Sequence, residues 1–186
     1  MPRIPRSLLT QRLRTLEDAG VVTWKAQGES KRAEYHLTEV GADLLDVVMR
    51  LGEWGQKWVN HDIGLGNVDP TLLVWDMHRR VNIDLLPEER VVVQFDLHGA
   101  AKGTCWLVLE KPEPSVCMWD PGFEVDLFVA TDTIAIHRGW MGMTSFAECV
   151  EDGLIELDGL TAHIKAFPGW FKLSVFSGVE RVVNAG

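Results

Sequence analysis

Apolar side chains recur at helical spacing near the start of the chain. Leu9, Leu13 and Leu16 follow one another at intervals of four and three residues, which places them on one face of a helix. Ser7 precedes this stripe as a favourable N-cap, and Gly20 follows it as a residue that ends helices. The pattern therefore predicts an amphipathic helix that stops just before the glycine.

The opposite face of this predicted helix carries three short or amide side chains and one guanidinium. They lie at matching intervals, at Ser7, Thr10, Gln11 and Arg14. Side chains of these types reach base edges and phosphates in the major groove of DNA. A solvated helix face explains the same pattern, so the residues alone leave both interpretations open.

Two β-rich segments follow the first helix, and both are short. Val21–Lys25 and Ala33–Leu37 flank a polar turn that contains Gly28. This arrangement predicts a β-hairpin. The turn ends in Lys31 and Arg32, so we expect a basic tip.

A second apolar helix follows the hairpin. Thr38 is its expected N-cap, and apolar residues recur from Leu44 through Leu51 to Trp58. A helix, a hairpin with a basic tip and a further helix are typical of the second half of a winged helix-turn-helix module. In such modules the recognition helix enters a groove and the wing touches the DNA backbone.

Four motifs of this region, in the same order, resemble the HxlR-type family of winged-helix transcription regulators. They are Leu9–Leu13, Leu16–Val22, Glu34–Gly41 and Leu51–Gly55. The resemblance covers about residues 3–60 and implies that the helix from Ser7 to Ala19 is the recognition helix. It also implies contact with double-stranded DNA by seven residues: Arg6, Ser7, Thr10, Gln11, Arg14, Lys31 and Arg32.

The sequence departs from this family at its start. In the family, further helices precede the recognition helix and complete the domain core, whereas this sequence begins at the recognition helix. Leu8, Leu9, Leu13 and Leu16 therefore lack their usual cover, and exposed leucines tend to find a partner. We expect a homodimer, and three explanations stay open: a start codon assigned too late, a module that no longer binds DNA, or cover from another subunit.

The patterning changes beyond residue 60 and predicts a second domain. Residues 1–60 form the partial winged helix, residues 61–69 are expected to be a linker, and residues 70–186 follow. Pro70 begins a short helix. Four β-rich segments come next, at Val91–Leu97, Thr104–Glu110, Ser115–Trp119 and Val125–Ala130, and three helical patterns then occupy Thr133–Trp140, Ser145–Glu151 and Leu160–Phe171. We expect an α+β fold with an antiparallel sheet covered by helices.

Charge divides the chain at the same place. Residues 1–37 carry seven Lys or Arg and four Asp or Glu, whereas residues 61–186 carry nine and nineteen. The net charge of −9 excludes a uniformly basic nucleic-acid coat, but the N-terminal part can meet phosphates. Three unpaired-looking cysteines and the lack of a long apolar stretch favour a cytoplasmic protein without a membrane span.

Segments of the acidic part resemble a sterol-carrier-protein-like domain over about residues 68–178. They are Asp120–Leu127, Trp140–Gly142 and Ser145–Gly159. The resemblance implies a sheet with helices over one face, enclosing a tunnel for lipids. Aromatic and Met side chains are the candidate lining of a cavity for an apolar molecule, although plain core packing also explains them. These are Trp106, Met118, Phe123, Trp140, Phe146, Phe167 and Trp170.

Sequence motifs of catalysis and cofactor binding are missing. The six histidines form no HxxxH or HExxH pair, and neither a GxSxG elbow nor a phosphate-binding loop occurs. We therefore expect no enzyme, no metal and no cofactor. The leading hypothesis is a dimeric DNA-binding transcription regulator with a C-terminal domain that senses an apolar ligand. The alternative is a lipid carrier whose truncated winged-helix part serves only for dimerisation, and a hydrolase or transferase activity in the pocket comes third.

Overall fold

A computed structural model describes residues 4–26, 33–58, 68–99, 101–180 and 182. Its internal contacts divide it into two units, residues 1–59 and residues 60–186. Residues 61–67 of the predicted linker, and the predicted wing residues Lys31 and Arg32, lie outside the described residues.

The N-terminal unit is built from two helices and one hairpin. Its elements are α1 (Arg6–Asp18), β1 (Val22–Ala26), β2 (Ala33–Leu37) and α2 (Glu39–Trp58). The two strands pair antiparallel, with Val22 opposite Leu37. The predicted order of helix, hairpin and helix is therefore confirmed.

Helix α1 begins one residue earlier than the sequence pattern indicates. Its N-cap is Pro5, which makes no side-chain capping bond, and Ser7 lies in the first turn. The Pro5 carbonyl accepts the first helical hydrogen bond, from the Leu9 N–H at 3.0 Å. The prediction that Ser7 is the N-cap is therefore wrong, because the extended conformation of Pro5 already starts the helix.

The other end of α1 is closed as the glycine predicts. Gly20 has a φ of 71°, the left-handed conformation that glycine adopts without strain. Its N–H donates to the Glu17 carbonyl, and the Val21 N–H donates to the Leu16 carbonyl, both at 2.9 Å. This is a Schellman motif, which satisfies carbonyls that the helix end would leave unpaired.

Thr38 ties this turn to the start of α2. Its hydroxyl donates to the Gly20 carbonyl and accepts the Gly41 N–H at 3.1 Å, so the predicted cap is present. Gly41 packs so closely that a Cβ there would lie 2.0 Å from the Val21 carbonyl oxygen. Only glycine fits at this position.

The C-terminal unit contains one five-stranded sheet and a layer of short helices. Its elements are α3 (Pro70–His78), β3 (Val91–His98), β4 (Gly103–Leu109), β5 (Ser115–Cys117), β6 (Leu127–Asp132), α4 (Thr133–Trp140), α5 (Phe146–Glu151), β7 (Ile155–Gly159) and α6 (Thr161–Ala166). A short 3-10 turn, Phe167–Gly169, follows α6. The unit is α+β, as expected.

The sheet is mixed rather than wholly antiparallel. Its strand order is β5-β4-β3-β6-β7, and β3 pairs parallel with β6 while all other pairs are antiparallel. The reason is the connection over residues 118–126. It carries the chain from the β5 edge past β4 and β3, so that β6 runs beside β3 in the same direction.

The alternation of the strands divides the sheet into two faces. On β3, Val91, Val93, Phe95 and Leu97 are at most 4% exposed and belong to the main core. Residues of the helix layer pack onto this side, so we call it the covered face. The residues between them, such as Gln94, lie on the other side, which we call the open face.

Candidate DNA-binding and ligand-binding sites

The predicted DNA-reading side chains lie along an exposed helix. None of the residues of α1 is buried, and Ser7, Gln11 and Arg14 are all exposed. Thr10 is exposed too, but its hydroxyl donates to the Arg6 carbonyl at 2.9 Å. With 13 residues the helix is about 20 Å long, which suits the major groove.

Three guanidinium groups on α1 are available for a ligand. Within the described part of the chain, none of Arg6, Arg12 and Arg14 forms a hydrogen bond or an ion pair with its side chain. The carboxylate of Glu17, by contrast, accepts the Trp24 N–H at 3.3 Å and is held against the hairpin. The arginine side chains along α1 thus remain open to phosphates.

Helix α2 exposes an apolar row that the sequence analysis only partly described. Intervals of four and three residues alternate along it, and each side chain is 42–63% exposed. We call this row the α2 seam; it consists of Val40, Leu44, Val47, Leu51, Trp54 and Trp58. Such a heptad row is typical of a helix that packs against another helix.

Four of the seven predicted ligand-lining residues come together on the covered face. Trp140, Phe146, Phe167 and Trp170 are all at most 8% exposed and share one core. The Phe167 ring centre lies 6.2 Å from those of both Phe146 and Trp170. Met118 is partly buried against the same core.

The structure separates Trp106 and Phe123 from those five residues. Trp106 pairs with Gln94 across β3 and β4, and its indole donates to the Gln94 amide oxygen at 3.1 Å on the open face. Its neighbours Cys105 and Leu107 take the core positions. This alternation was visible in the sequence and could have excluded Trp106 from the core lining.

Phe123 lies in the connection between β5 and β6. Its ring is 43% exposed, and the Arg90 guanidinium stacks 3.9 Å above its centre. A cation over an aromatic face is a favourable surface contact. Phe123 therefore has a local partner and does not lie with the aromatic residues of the covered face.

Three nitrogen atoms in the helix layer are buried without a hydrogen bond. They are Nε1 of Trp140, Nε1 of Trp170 and Nδ1 of His163, judged over the described residues. The rings of His163 and Trp170 are neighbours, with centres 6.0 Å apart. An unpaired buried polar group costs about 1–3 kcal/mol, so such atoms are uncommon. Sequence reasoning missed His163 because a single histidine has no pattern.

A surface cavity of about 390 Å³ lies beside α4 and α5. It is lined by Asp132, Ile134, Ala135, Arg138, Thr144, Cys149, Asp152 and Leu154, none of which the sequence singled out. The Asp132 carboxylate already caps α4 by accepting the Ile134 N–H at 2.8 Å. The lining thus combines apolar side chains with the charged groups of Asp132, Arg138 and Asp152.

The buried cysteines are poor nucleophiles. Burial raises the pKa of the Cys105 thiol to about 12, and burial also raises the pKa of the Cys149 thiol above its ordinary value. Both groups stay protonated at neutral pH, and the thiol is much less nucleophilic than the thiolate.

Over the described ranges, no three His, Cys, Asp or Glu side chains form a group that could hold a metal ion. None of the helices in those ranges has the length and apolar character needed to cross a bilayer.

The N-terminal part is similar to known proteins. Residues 1–63 match the family model described as an HxlR-like helix-turn-helix. An uncharacterized HTH-type transcriptional regulator of Methanothermobacter thermautotrophicus is 34% identical over 71 residues, which are 38% of this chain and 54% of that protein. The chain spans about half the length of the curated relatives that it matches.

Solved structures share lower sequence identity with the chain than this relative does. The sec-alkylsulfatase Pisa1 from Pseudomonas sp. has a TM-score of 0.47 and 14% identity, over 57% of this chain and 17% of that one. Sterol carrier protein 2 from Yarrowia lipolytica has a TM-score of 0.37 and 17% identity, over 42% of this chain and 63% of that one.

The family match confirms the resemblance that the sequence motifs indicate, on nearly the same residues. The exposed helix α1, the hairpin and α2 all lie within it. Residues 1–63, about a third of the chain, are therefore similar to the HxlR-like helix-turn-helix family.

Proposed function

We propose that the chain is a cytoplasmic, DNA-binding transcription regulator that acts as a homodimer and is not an enzyme. Its C-terminal unit binds an apolar small molecule or lipid. The observation that carries the first part is α1, an exposed helix that lies inside a helix-turn-helix family match and whose three guanidinium groups have no partner among the described residues. Arg6 and Arg14 contact DNA from this helix, with Ser7, Thr10 and Gln11 beside them.

The proposed dimer rests on the α2 seam. Six apolar side chains on one helix row are an exposed surface that monomeric proteins rarely keep. A second copy of the chain presents the same row, so the two seams can bury each other around a twofold axis. A twofold dimer also matches the paired half-sites that helix-turn-helix dimers bind.

The proposed apolar ligand rests on the covered face of the C-terminal unit. Trp140, Phe146, Phe167 and Trp170 line one region there, with Met118 at its margin. Aromatic and Met side chains are typical of sites for apolar molecules. A ligand that binds one dimer geometry better than another shifts the dimer toward that geometry and so changes its affinity for DNA. The coupling is reciprocal, because DNA then changes the affinity for the ligand by the same factor.

The direct test is DNA binding by the full chain. A labelled duplex from the promoter of its own gene is titrated by fluorescence anisotropy at two salt concentrations, with a random duplex as competitor. We expect salt-dependent binding that resists the competitor. Absence of binding even at low salt would contradict the regulator. Co-purification of a lipid with such an inactive chain would favour the carrier protein whose N-terminal part only dimerises.

A further inference from the structure

The nitrogens of His163 and Trp170 that lack a hydrogen bond belong to neighbouring rings of the helix layer. Trp170 is fully buried and its ring packs 6.2 Å from Phe167. His163 lies on α6 and is half-buried, although its Nδ1 is inaccessible. The pair therefore runs from near the surface into the aromatic core of the covered face.

The two nitrogens restrict the chemistry of a group that could satisfy them. An indole N–H can only donate a hydrogen bond, whereas imidazole Nδ1 donates or accepts according to its tautomer. A cation can accept from neither. A hydroxyl oxygen accepts from the indole and can donate to, or accept from, the imidazole. The two rings are neighbours, with centres 6.0 Å apart, so both unpaired nitrogens lie in the same part of the helix layer.

We propose that His163 and Trp170 form the polar end of the ligand site in the C-terminal unit. They bind the single hydroxyl group of an otherwise apolar molecule, whose hydrocarbon part lies against Phe167 and Phe146. The proposal rests on the apolar-ligand function proposed above and specifies it. It also gives the buried nitrogens of His163 and Trp170 a partner, which a buried polar group otherwise lacks at a cost in free energy.

The chain offers a matched control for this pair. Trp75 and His78 are also ring neighbours, with centres 5.1 Å apart. Trp75 is 39% exposed, and His78 Nδ1 already lies 2.6 Å from the Trp75 carbonyl oxygen. This second pair has the same residue types and no unpaired buried nitrogen.

The test uses 1-octanol and nonane, which have equal numbers of heavy atoms, as probes of the full chain. Indole N–H signals of ¹⁵N-labelled protein are followed by NMR, and Trp170→Phe identifies the signal of Trp170. We expect 1-octanol to move that signal downfield and nonane to leave it in place. Trp170→Phe and His163→Leu should each weaken 1-octanol binding about fivefold, the worth of one hydrogen bond. Trp75→Phe should change neither probe's affinity.

Each remaining outcome decides between the two proposals. If 1-octanol binds with equal affinity to the wild type and both variants, the hydroxyl site is wrong and the apolar-ligand function stands. If neither probe binds the wild type, the apolar-ligand function itself fails. A Trp170 signal that stays fixed while 1-octanol saturates the protein would mean that an ordered water holds the indole, which overturns the hydroxyl site. This last readout follows the wild type and uses Trp170→Phe only to identify the signal, so a loss of affinity through misfolding of a variant cannot imitate it.

Discussion

The two units of the chain differ in where their apolar side chains lie. Among the described residues of the N-terminal unit, Val22 is the one large apolar side chain that is buried. Helices α1 and α2 expose rows of Leu, Val and Trp. In the C-terminal unit, more than twenty apolar residues share one core. Burial of apolar surface is the main favourable term in folding. The C-terminal unit therefore supplies its own stability, whereas we expect the N-terminal unit to gain much of its stability from a partner.

The largest expected effect is in the core of the C-terminal unit. Phe167→Ala should lower the free energy of unfolding by about 3–5 kcal/mol, because it removes a fully buried ring and leaves a cavity. The measurement is urea unfolding followed by tryptophan fluorescence. Phe123→Ala, at an exposed ring of the same type, is the control and should cost far less. Equal losses in the two variants would mean that the core is not packed as described.

The second largest effect concerns the affinity of the dimer and not the stability of the fold. Leu51→Glu places a charge in the α2 seam and should weaken the dimer at least about a hundredfold, since a charge at such an interface is buried unpaired. Light scattering during size exclusion should then give the monomer mass of 20.9 kDa. Arg50→Glu, off the seam and ion-paired with Glu53 at 2.9 Å, is the matched control. If both variants stay dimeric, the seam is not the interface.

A smaller loss of stability is expected at Thr38, which connects the end of α1 to the start of α2. Thr38→Ala removes the cap of α2 and the bond to the Gly20 carbonyl, so the N-terminal unit should lose about 1 kcal/mol. Hydrogen exchange at the hairpin amides reports this loss without involving the other unit. Thr15→Ala is the control, because that hydroxyl only bonds back to the Gln11 carbonyl of its own helix. Faster exchange in β3 as well would show that the units do not unfold separately.

The smallest effect depends on pH. Hydrogen bonds from the Ser145 N–H and the Thr144 hydroxyl lower the pKa of Glu148 below its ordinary value of 4.5. A carboxylate with a lowered pKa in the folded state stabilises the protein above its ordinary pKa, and this contribution is lost as the pH falls through the lowered value. Glu148→Gln should therefore flatten the loss of thermal stability on the acid side. Glu151→Gln, which lacks that capping box, serves as control, and an identical slope in both variants would rule out the role of the cap.

Local signals explain which parts of the fold could be predicted. Gly20 indicates the end of α1, and the structure has a Schellman motif there. Thr38 indicates the start of α2, and its hydroxyl caps that helix. Strand bounds differ by up to two residues, as at β6 (Leu127–Asp132). The parallel pairing of β3 with β6 could not be predicted, because the alternation of a strand tells which side is buried and not which strand lies next to it.

The candidate sites show the same limit. The polar row of α1 could be predicted, since its spacing places it on one helix face. Trp106 was assigned to the ligand site from its residue type, although the alternation of β4 places it on the open face. His163 and the cavity beside α4 could not be predicted, because they depend on how distant segments pack.

In the function proposed above, α1 reads DNA sequence, and Arg14 is the side chain expected to contact a base. The most direct measurement is the affinity of Arg14→Ala for the tightest duplex that the wild type selects from a random library, compared with its affinity for random DNA. We predict a loss of about tenfold on the selected duplex and a much smaller loss on random DNA, with Arg50→Ala changing neither. Equal loss on both duplexes would contradict the claim, because Arg14 would then contact only phosphates.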